Sequence, residues 1–359
     1  MRGLQNLLMT RYYLFICLFV LSFSCKKEPI VSSSTGNSSN WLVPQAELEF
    51  GTNKDAIRAV DNPLFVPKEE ILYMEAEDIV QVLKLEDEIR AYPINVLDWH
   101  EIVNDQINDK KVAITYCPLT GTGICWNREI EGMRTPFGRS GCIYPANLSA
   151  FDRATDSYWS QMRMDCINGN FTGRPLPYYH MVEMSWAAFK EMLPEVKVLS
   201  ADTGFGLPYT DYPYYDYPTN NSFFVVPIEF EDERLSAKER VLGVNVLGQV
   251  RVYPYNLFDS GEVNVINDVF KGQPVVVVGH PDKNFITAYK ANFEGSTLNF
   301  RPVQEGGAVV MQDDQGNRWN ILGQAVEGPD EGKSLKTIKA FTGYWFAWLE
   351  FYPQAEIYE

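Results

Sequence analysis

The feature that most constrains what this chain can fold into is a duplication. "RAYPINVLD" at Arg90–Asp98 returns as "RVYPYNLFD" at Arg251–Asp259, and the Asn104–Asp105 pair returns as Asn267–Asp268. From there "VAITYCPLTGTGICWNREIEG", Val112–Gly132, lies without a gap on "VVVVGHPDKNFITAYKANFEG", Val275–Gly295. Identities are few; what the two stretches share is the alternation of polar and apolar residues. Trp159 answers to Trp319, Gly169 to Gly328, and "WAAFKEMLPEVKVL" from Trp186 to "WFAWLEFYPQAEIY" from Trp345, with Pro194 and Pro353 at the same place in each. Such a repeat is one structural unit written twice, here of roughly 120 residues, the size of a modest domain.

Within each copy the local signals come in the same order. A β-branched run, "DIVQVLKL" or "RVLGVNV", turns through an acidic or glycine-bearing pair into "IRAYPI" or "VRVYPY", which reads as a hairpin. A short helix follows, then a buried strand, a loop, the strand "ICWNREI" or "ITAYKANF", further short strands, and one amphipathic helix stopped by Pro194 or Pro353. Strands dominate. The predicted class is α+β with mainly antiparallel sheet, as two tandem copies of a related β-rich unit with few short helices. The first unit is expected over 45–205 and the second over 239–359, joined by a Tyr/Pro-rich linker, 206–238, that contains "LPYTDYPYYDYP". So many tyrosines suit a segment packed across the body better than one free in water.

The formal net charge is −16, from 31 basic and 47 acidic side chains, and no basic patch interrupts it. A surface of that sign repels phosphate backbones, so nucleic acid is excluded as a partner. At the N-terminus, Arg2 and Arg11 with the apolar run "YYLFICLFVLSF" read as a signal peptide over 1–24. "LSFSC" then resembles a bacterial lipobox, which makes Cys25 the lipidation site, although Ser22 and Phe23 depart from the usual pattern; a plain cleaved signal is the alternative. Residues 25–44, with "KKEPIVSSSTGNSSN", read as a flexible tether. These features predict an exported lipoprotein of the bacterial cell envelope, held to a membrane by its lipid anchor, with the body in the periplasm or on the cell surface.

Four cysteines remain in the body, Cys117, Cys125, Cys142 and Cys166, and spacing does not choose among their three possible pairings. Cys117 is the distinctive one. It closes a buried strand, is followed by Pro118, and has the Cys-x-x-Thr form of a single-thiol redox loop with Thr120. His280 falls on its position in the second copy, and His100 precedes it in "DWHEIVND" with Asp98 and Glu101 alongside. Packing of the copies about a pseudo-twofold axis would let the thiol and the imidazoles meet. Two chemistries follow. A histidine can raise the thiolate fraction of Cys117, giving a catalytic group of Cys117, His100, Thr120 and Glu101. Alternatively Cys117, His100 and His280 are ligands of a metal such as copper or zinc. Beside these stand structural readings, in which His100 and His280 are satisfied core histidines and Cys117 is a small buried hydrophobe. His180 reads as surface or packing, and Cys125, Cys142 and Cys166 as filler. Asp152, Arg153, Ser157 and Gln161 in "NLSAFDRATDSYWSQ" line a pocket, or Asp152 and Arg153 merely close a turn. No phosphate loop, His-Glu-x-x-His pair or Gly-x-Ser-x-Gly elbow is present, which argues against the common nucleotide, zincin and serine-hydrolase classes.

The stretches "AYPINVLDWHEIVND", "ITYCPLTGTGICWN", "FGRSG", "NLSAFDRATDSYWSQ" and "ERVLGV" together resemble the uncharacterised prokaryotic family known as domain of unknown function 3179, from about Ile57 to the C-terminus. The resemblance implies no established activity. Relatives with a second cysteine at the position of Thr120, and selenoprotein members, imply redox chemistry around Cys117. Thr120 departs from that pattern and removes the local resolving thiol. The function expected is therefore an oxidoreductase-like enzyme with a Cys/His centre, acting on a small-molecule or thiol/disulfide substrate. A non-catalytic metal- or ligand-binding lipoprotein and a structural envelope module are the alternatives.

Overall fold

The computed structural model describes residues 41–229 and 232–359. The signal peptide, Cys25 and most of the tether lie outside the described residues. The tether read over 25–44 ends sooner than that: Val43 is buried, and the Leu42 N–H donates to the Ile167 carbonyl at 2.8 Å. Trp41 and Val43 pack against Cys142, Tyr144 and Ile167.

Strands dominate, and the three α-helices among the described residues, Ile94–His100, Trp186–Met192 and Trp345–Phe351, have seven residues each. No helix among these residues is long and apolar enough to cross a membrane. The opening hairpin of the first copy pairs Ile79–Leu85 with Glu88–Pro93, and that of the second pairs Arg240–Val246 with Gln249–Pro254. In the second, Leu247 and Gly248 both have positive φ, 52° and 83°, the conformation that a two-residue turn needs to match the twist of its strands. Each hairpin gains the same two neighbours. Met181–Ser185 or Lys339–Tyr344 adds on one side antiparallel, and Lys197–Leu199 or Glu356–Ile357 adds on the other side parallel.

The second sheet is also built twice. Ile102–Ile107, Lys110–Cys117 and Thr122–Asn127 form an antiparallel meander, matched by Asn264–Phe270, Gln273–His280 and Phe285–Lys290. In a third sheet four strands run from Phe137–Ile143 to Asp165–Asn168, with Glu49–Phe50 added as a fifth at the edge, and its four-stranded counterpart runs from Phe300–Pro302 to Ala325–Glu327. The same polar pins hold both copies. Asp105 accepts from Arg90 and Tyr92 as Asp268 accepts from Arg251 and Tyr253; Asn104 bonds the backbone of Phe137 as Asn267 bonds that of Phe300. Trp159 Nε1 donates to Asp152 as Trp319 Nε1 donates to Asp313.

The copies do not keep separate cores. Trp345, Trp348 and Leu349, from the last helix of the second copy, pack with Ile124, Trp126 and Trp159 of the first. Trp186, Phe189 and Met192, from the equivalent helix of the first copy, pack with Val276, Val278 and Trp319 of the second. Each terminal helix thus packs both on the hairpin sheet of its own copy and with strands of the other, so the two copies share their cores.

Candidate functional site

Cys117 ends its strand where the chain must turn back into Thr122–Asn127. The turn is tight: the N–H groups of Thr120 and Gly121 both donate to the Cys117 carbonyl, at 3.2 and 2.8 Å. It is also capped by the other copy, because the Tyr344 N–H donates to the Thr120 carbonyl at 2.8 Å. The thiol is 2% exposed. Burial pushes its pKa up and the nearby Glu101 adds to that, while hydrogen bonding from the Thr120 side chain and the Leu148 backbone, and the Arg139 guanidinium, pull it back. The raised pKa keeps the sulfur a thiol at neutral pH, with groups beside it that would stabilise a thiolate.

A sealed polar network surrounds this thiol. Glu101, held at the left-handed C-cap of the first helix with φ 56°, accepts from Arg139 Nε at 2.5 Å. Arg139 also donates to the Cys142 carbonyl at 3.2 Å. Asn147 Nδ2 donates to the Thr120 hydroxyl at 2.8 Å and to Gln161 Oε1 at 2.8 Å. Gln161 in turn accepts from Thr122 and donates to Thr115, at 2.7 and 3.0 Å. Thr115, Thr120, Thr122, Asn147 and Gln161 are all fully buried. Polar groups gathered this densely in an interior stay favourable only while each is satisfied.

The second copy has the same strands without this chemistry. At the equivalent positions Thr115 becomes Val278, Thr122 becomes Phe285, Arg139 becomes Pro302 and Gln161 becomes Ile321, while Thr120 becomes Lys283 and Glu101 becomes Asn264. The fold therefore does not need these polar residues, since its own duplicate closes around apolar ones.

Of the residues read from the sequence, Cys117, Thr120 and Glu101 are brought together, and the histidines are not among the groups acting on the thiol. His100 points the other way from its helix end. Its Nδ1 lies 2.6 Å from the Arg58 carbonyl and its Nε2 2.6 Å from the Tyr209 hydroxyl. Burial lowers its pKa, so the ring is neutral, donating through Nδ1 and accepting at Nε2. His280 sits beside Phe285, with Asp282, Lys283 and Glu191 acting on it. The copper or zinc set read as Cys117, His100 and His280 is thus not assembled, and among the described residues no group of three or more His, Cys, Asp or Glu side chains could hold a metal ion. The two strand ends are instead covered differently, the Cys117 turn by Tyr344 and His280 by Phe285 and the groups around Lys283 and Glu191. His180 bonds Thr287 of the second copy at 3.0 Å, and burial holds its pKa down to about 4. It lines a cavity of about 210 Å³ with Tyr178, Tyr179 and Tyr289, which shares no residue with the Cys117 network. The four body cysteines are free and buried.

Arg139, Asn147 and Thr122 were not singled out by sequence, and Gln161 was read only as one member of a polar run. The signal that identifies them is the comparison of the two copies position by position. The Tyr/Pro-rich segment completes the site from above. Tyr217 donates to the Leu119 carbonyl at 2.9 Å and Tyr214 to Glu101 at 3.2 Å, so the segment lies across the mouth of the Cys117 turn.

A family model described as a protein of unknown function, DUF3179, matches residues 54–355, which spans both copies and every residue of the network. No curated protein and no solved structure matches the chain.

Proposed function

The chain belongs to the DUF3179 family, and from that premise we propose that it is an exported, lipid-anchored envelope protein whose first copy carries a thiol-dependent, oxidoreductase-like centre at Cys117. One observation carries this reading: the same fold occurs twice in the chain, and only the copy with the thiol surrounds that position with buried polar groups. Burying polar groups without structural need lowers stability, so a set confined to one copy is best explained by chemistry there. In this reading Cys117 is the reacting group. Thr120 and the Leu148 backbone donate toward the sulfur, and Arg139, oriented by Glu101, supplies positive charge to a developing thiolate. His100 takes no part in the reaction; it anchors the segment above.

With Thr120 in place of a second thiol, the cycle uses one sulfur of the protein. The sulfur attacks a small disulfide, an S–S bond breaks as a mixed disulfide forms, and the departing thiol leaves with the Cys117 proton. Incubation of the full chain with a small disulfide and mass mapping of the adducts tests this. The expected product is one mixed disulfide, at Cys117, lost in Cys117→Ser. Adducts spread over the four cysteines, or none at Cys117 at any pH up to about 10, the upper part of the thiol range, would end the proposal. A second reading, a non-catalytic envelope module, is favoured by the near-complete burial of the thiol; it expects the second outcome.

A further inference from the structure

The Tyr/Pro-rich segment lies over the Cys117 turn, bonded to Glu101 and Leu119, and it is built unlike the rest of the body. Residues 200–229 carry no helix or strand, so no backbone ladder ties them to a sheet. A stretch of this length without regular structure, in an otherwise tightly packed body, is typical of a lid. It is held instead by a few side-chain bonds. Trp99 donates to the Asp211 carbonyl at 3.0 Å, His100 meets Tyr209, Tyr214 meets Glu101, and Tyr217 meets Leu119. Its other face is open: Tyr215, Phe223 and Val225 are 91%, 49% and 50% exposed.

One residue binds the far half of the segment into a single piece. Lys238 is 5% exposed, and its ammonium donates to the carbonyls of Tyr217, Asn220 and Phe223 at 2.6, 2.8 and 2.6 Å. The same nitrogen stands 3.3 Å from the centre of the Tyr217 ring. Among the described residues no carboxylate pairs with it. Local backbone bonds from Thr219 and Asn220 to Asp216 and from Phe223 to Asn220 shape the turn, and an ammonium with three carbonyl acceptors and an aromatic face ties it to the base of the second copy. Its chain neighbours then lead directly into the first strand of the second copy, a rigid base.

We propose that the segment around Tyr209–Phe224 is a lid over Cys117 and that Lys238 is its latch, so that release of Lys238 lets the lid lift and opens the thiol to substrate. This rests on the reading of Cys117 as the reacting group, but the opening itself does not depend on redox chemistry. The lid keeps the thiol dry and sheltered between turnovers, and a reactant larger than a few atoms enters only when it lifts.

Alkylation of the full-length protein by iodoacetamide, resolved by peptide for each cysteine, tests the latch. Cys125, Cys142 and Cys166 serve as internal references, since each is buried and none is a partner in the side-chain bonds that hold the lid. In Lys238→Met, which keeps the stem over the ring and removes the ammonium, alkylation of Cys117 should rise at least about tenfold, while the other three keep their rates, because hydrogen bonds from a charged donor are the stronger kind. Tyr217→Phe, which removes one hydrogen bond and leaves the fold intact, should give a smaller selective rise. Lys238→Arg should stay close to the unaltered protein. An equal rise at all four cysteines, or no selective rise in Lys238→Met, overturns the latch. Selective opening of Cys117 without any mixed disulfide at that residue would keep the lid and end the thiol-exchange reading.

Discussion

Glu101 holds Arg139 through a 2.5 Å contact to Nε, with both side chains almost sealed from water, and the sulfur of Cys117 feels the two charges with opposite sign. Glu101 raises the thiol pKa and Arg139 lowers it. In Glu101→Gln the first effect disappears and the second loses its counter-charge, so the pH midpoint of Cys117 alkylation should move down by about one unit. Arg139→Met should move it up. Each variant also breaks a buried pair, at a cost of about 3 kcal/mol in urea unfolding. Midpoints that shift the same way in both variants would show that loosened packing, not charge, controls the thiol.

Thr120→Cys tests the geometry of the turn. The hydrogen bonds from Thr120 and Gly121 to the Cys117 carbonyl fold residues 117–121 into a compact loop, and the Thr120 side chain acts on the sulfur directly. The ends of a turn closed by such a bond have Cα atoms within about 7 Å, near the roughly 4.4–6.8 Å spacing that a disulfide accepts. Mild oxidation should close a bridge between Cys117 and the introduced thiol, seen as the loss of two alkylatable thiols per chain. If both thiols alkylate independently after oxidation, the side chains at 117 and 120 do not share the site described for them.

Much of this architecture is legible in the sequence because both of its periodicities are strong. The hairpins, the buried strand ending at Cys117 or His280, and the helices before Pro194 and Pro353 follow from alternation and from the stop residues. That each terminal helix also packs with the strands of the other copy does not follow. Periodicity tells that Trp186, Phe189 and Met192 share an apolar face, but not whose strands that face covers. The site divides in the same way. Glu101 and Thr120 lie near Cys117 in sequence and are found by proximity. Arg139, Asn147 and Gln161 arrive from another sheet, and nothing local marks them. For His100 both readings stay open in sequence, because a helix end fixes which residue sits there, while the partners of its ring, Arg58 and Tyr209, are distant in sequence.

Gln161 is the hub of the network, and Ile321 occupies its place in the second copy. Gln161→Ile removes bonds to Thr115, Thr122 and Asn147 and leaves those buried groups short of partners. The expected cost is about 3 kcal/mol by urea unfolding. The reciprocal change, Ile321→Gln, puts an amide where no polar partners await it and should cost at least as much. If Gln161→Ile left stability unchanged, the network would be ornamental to the fold and to the thiol alike.

Glu183, in the edge strand Met181–Ser185 of the first copy, accepts from Arg240 at the start of the second and from Gln81 Nε2 at 2.7 Å. Burial pushes the Glu183 pKa up, and Arg240 and Gln81 pull it back down. Arg240→Met removes the larger of these restraining partners, so the carboxyl pKa in the folded variant rises further above its unfolded value. An acid of that kind binds its proton more tightly when folded, so stability is greatest below the unfolded pKa and falls as pH rises through the folded one. The variant should therefore be close to the unaltered protein near pH 4 and about 3 kcal/mol weaker at pH 7, where the unpaired carboxylate must be either charged or protonated at a cost. Urea unfolding at the two pH values reads the difference. A deficit of the same size at both would mean that Arg240 acts through packing of its stem, and the charge pair between the copies would carry no stability of its own.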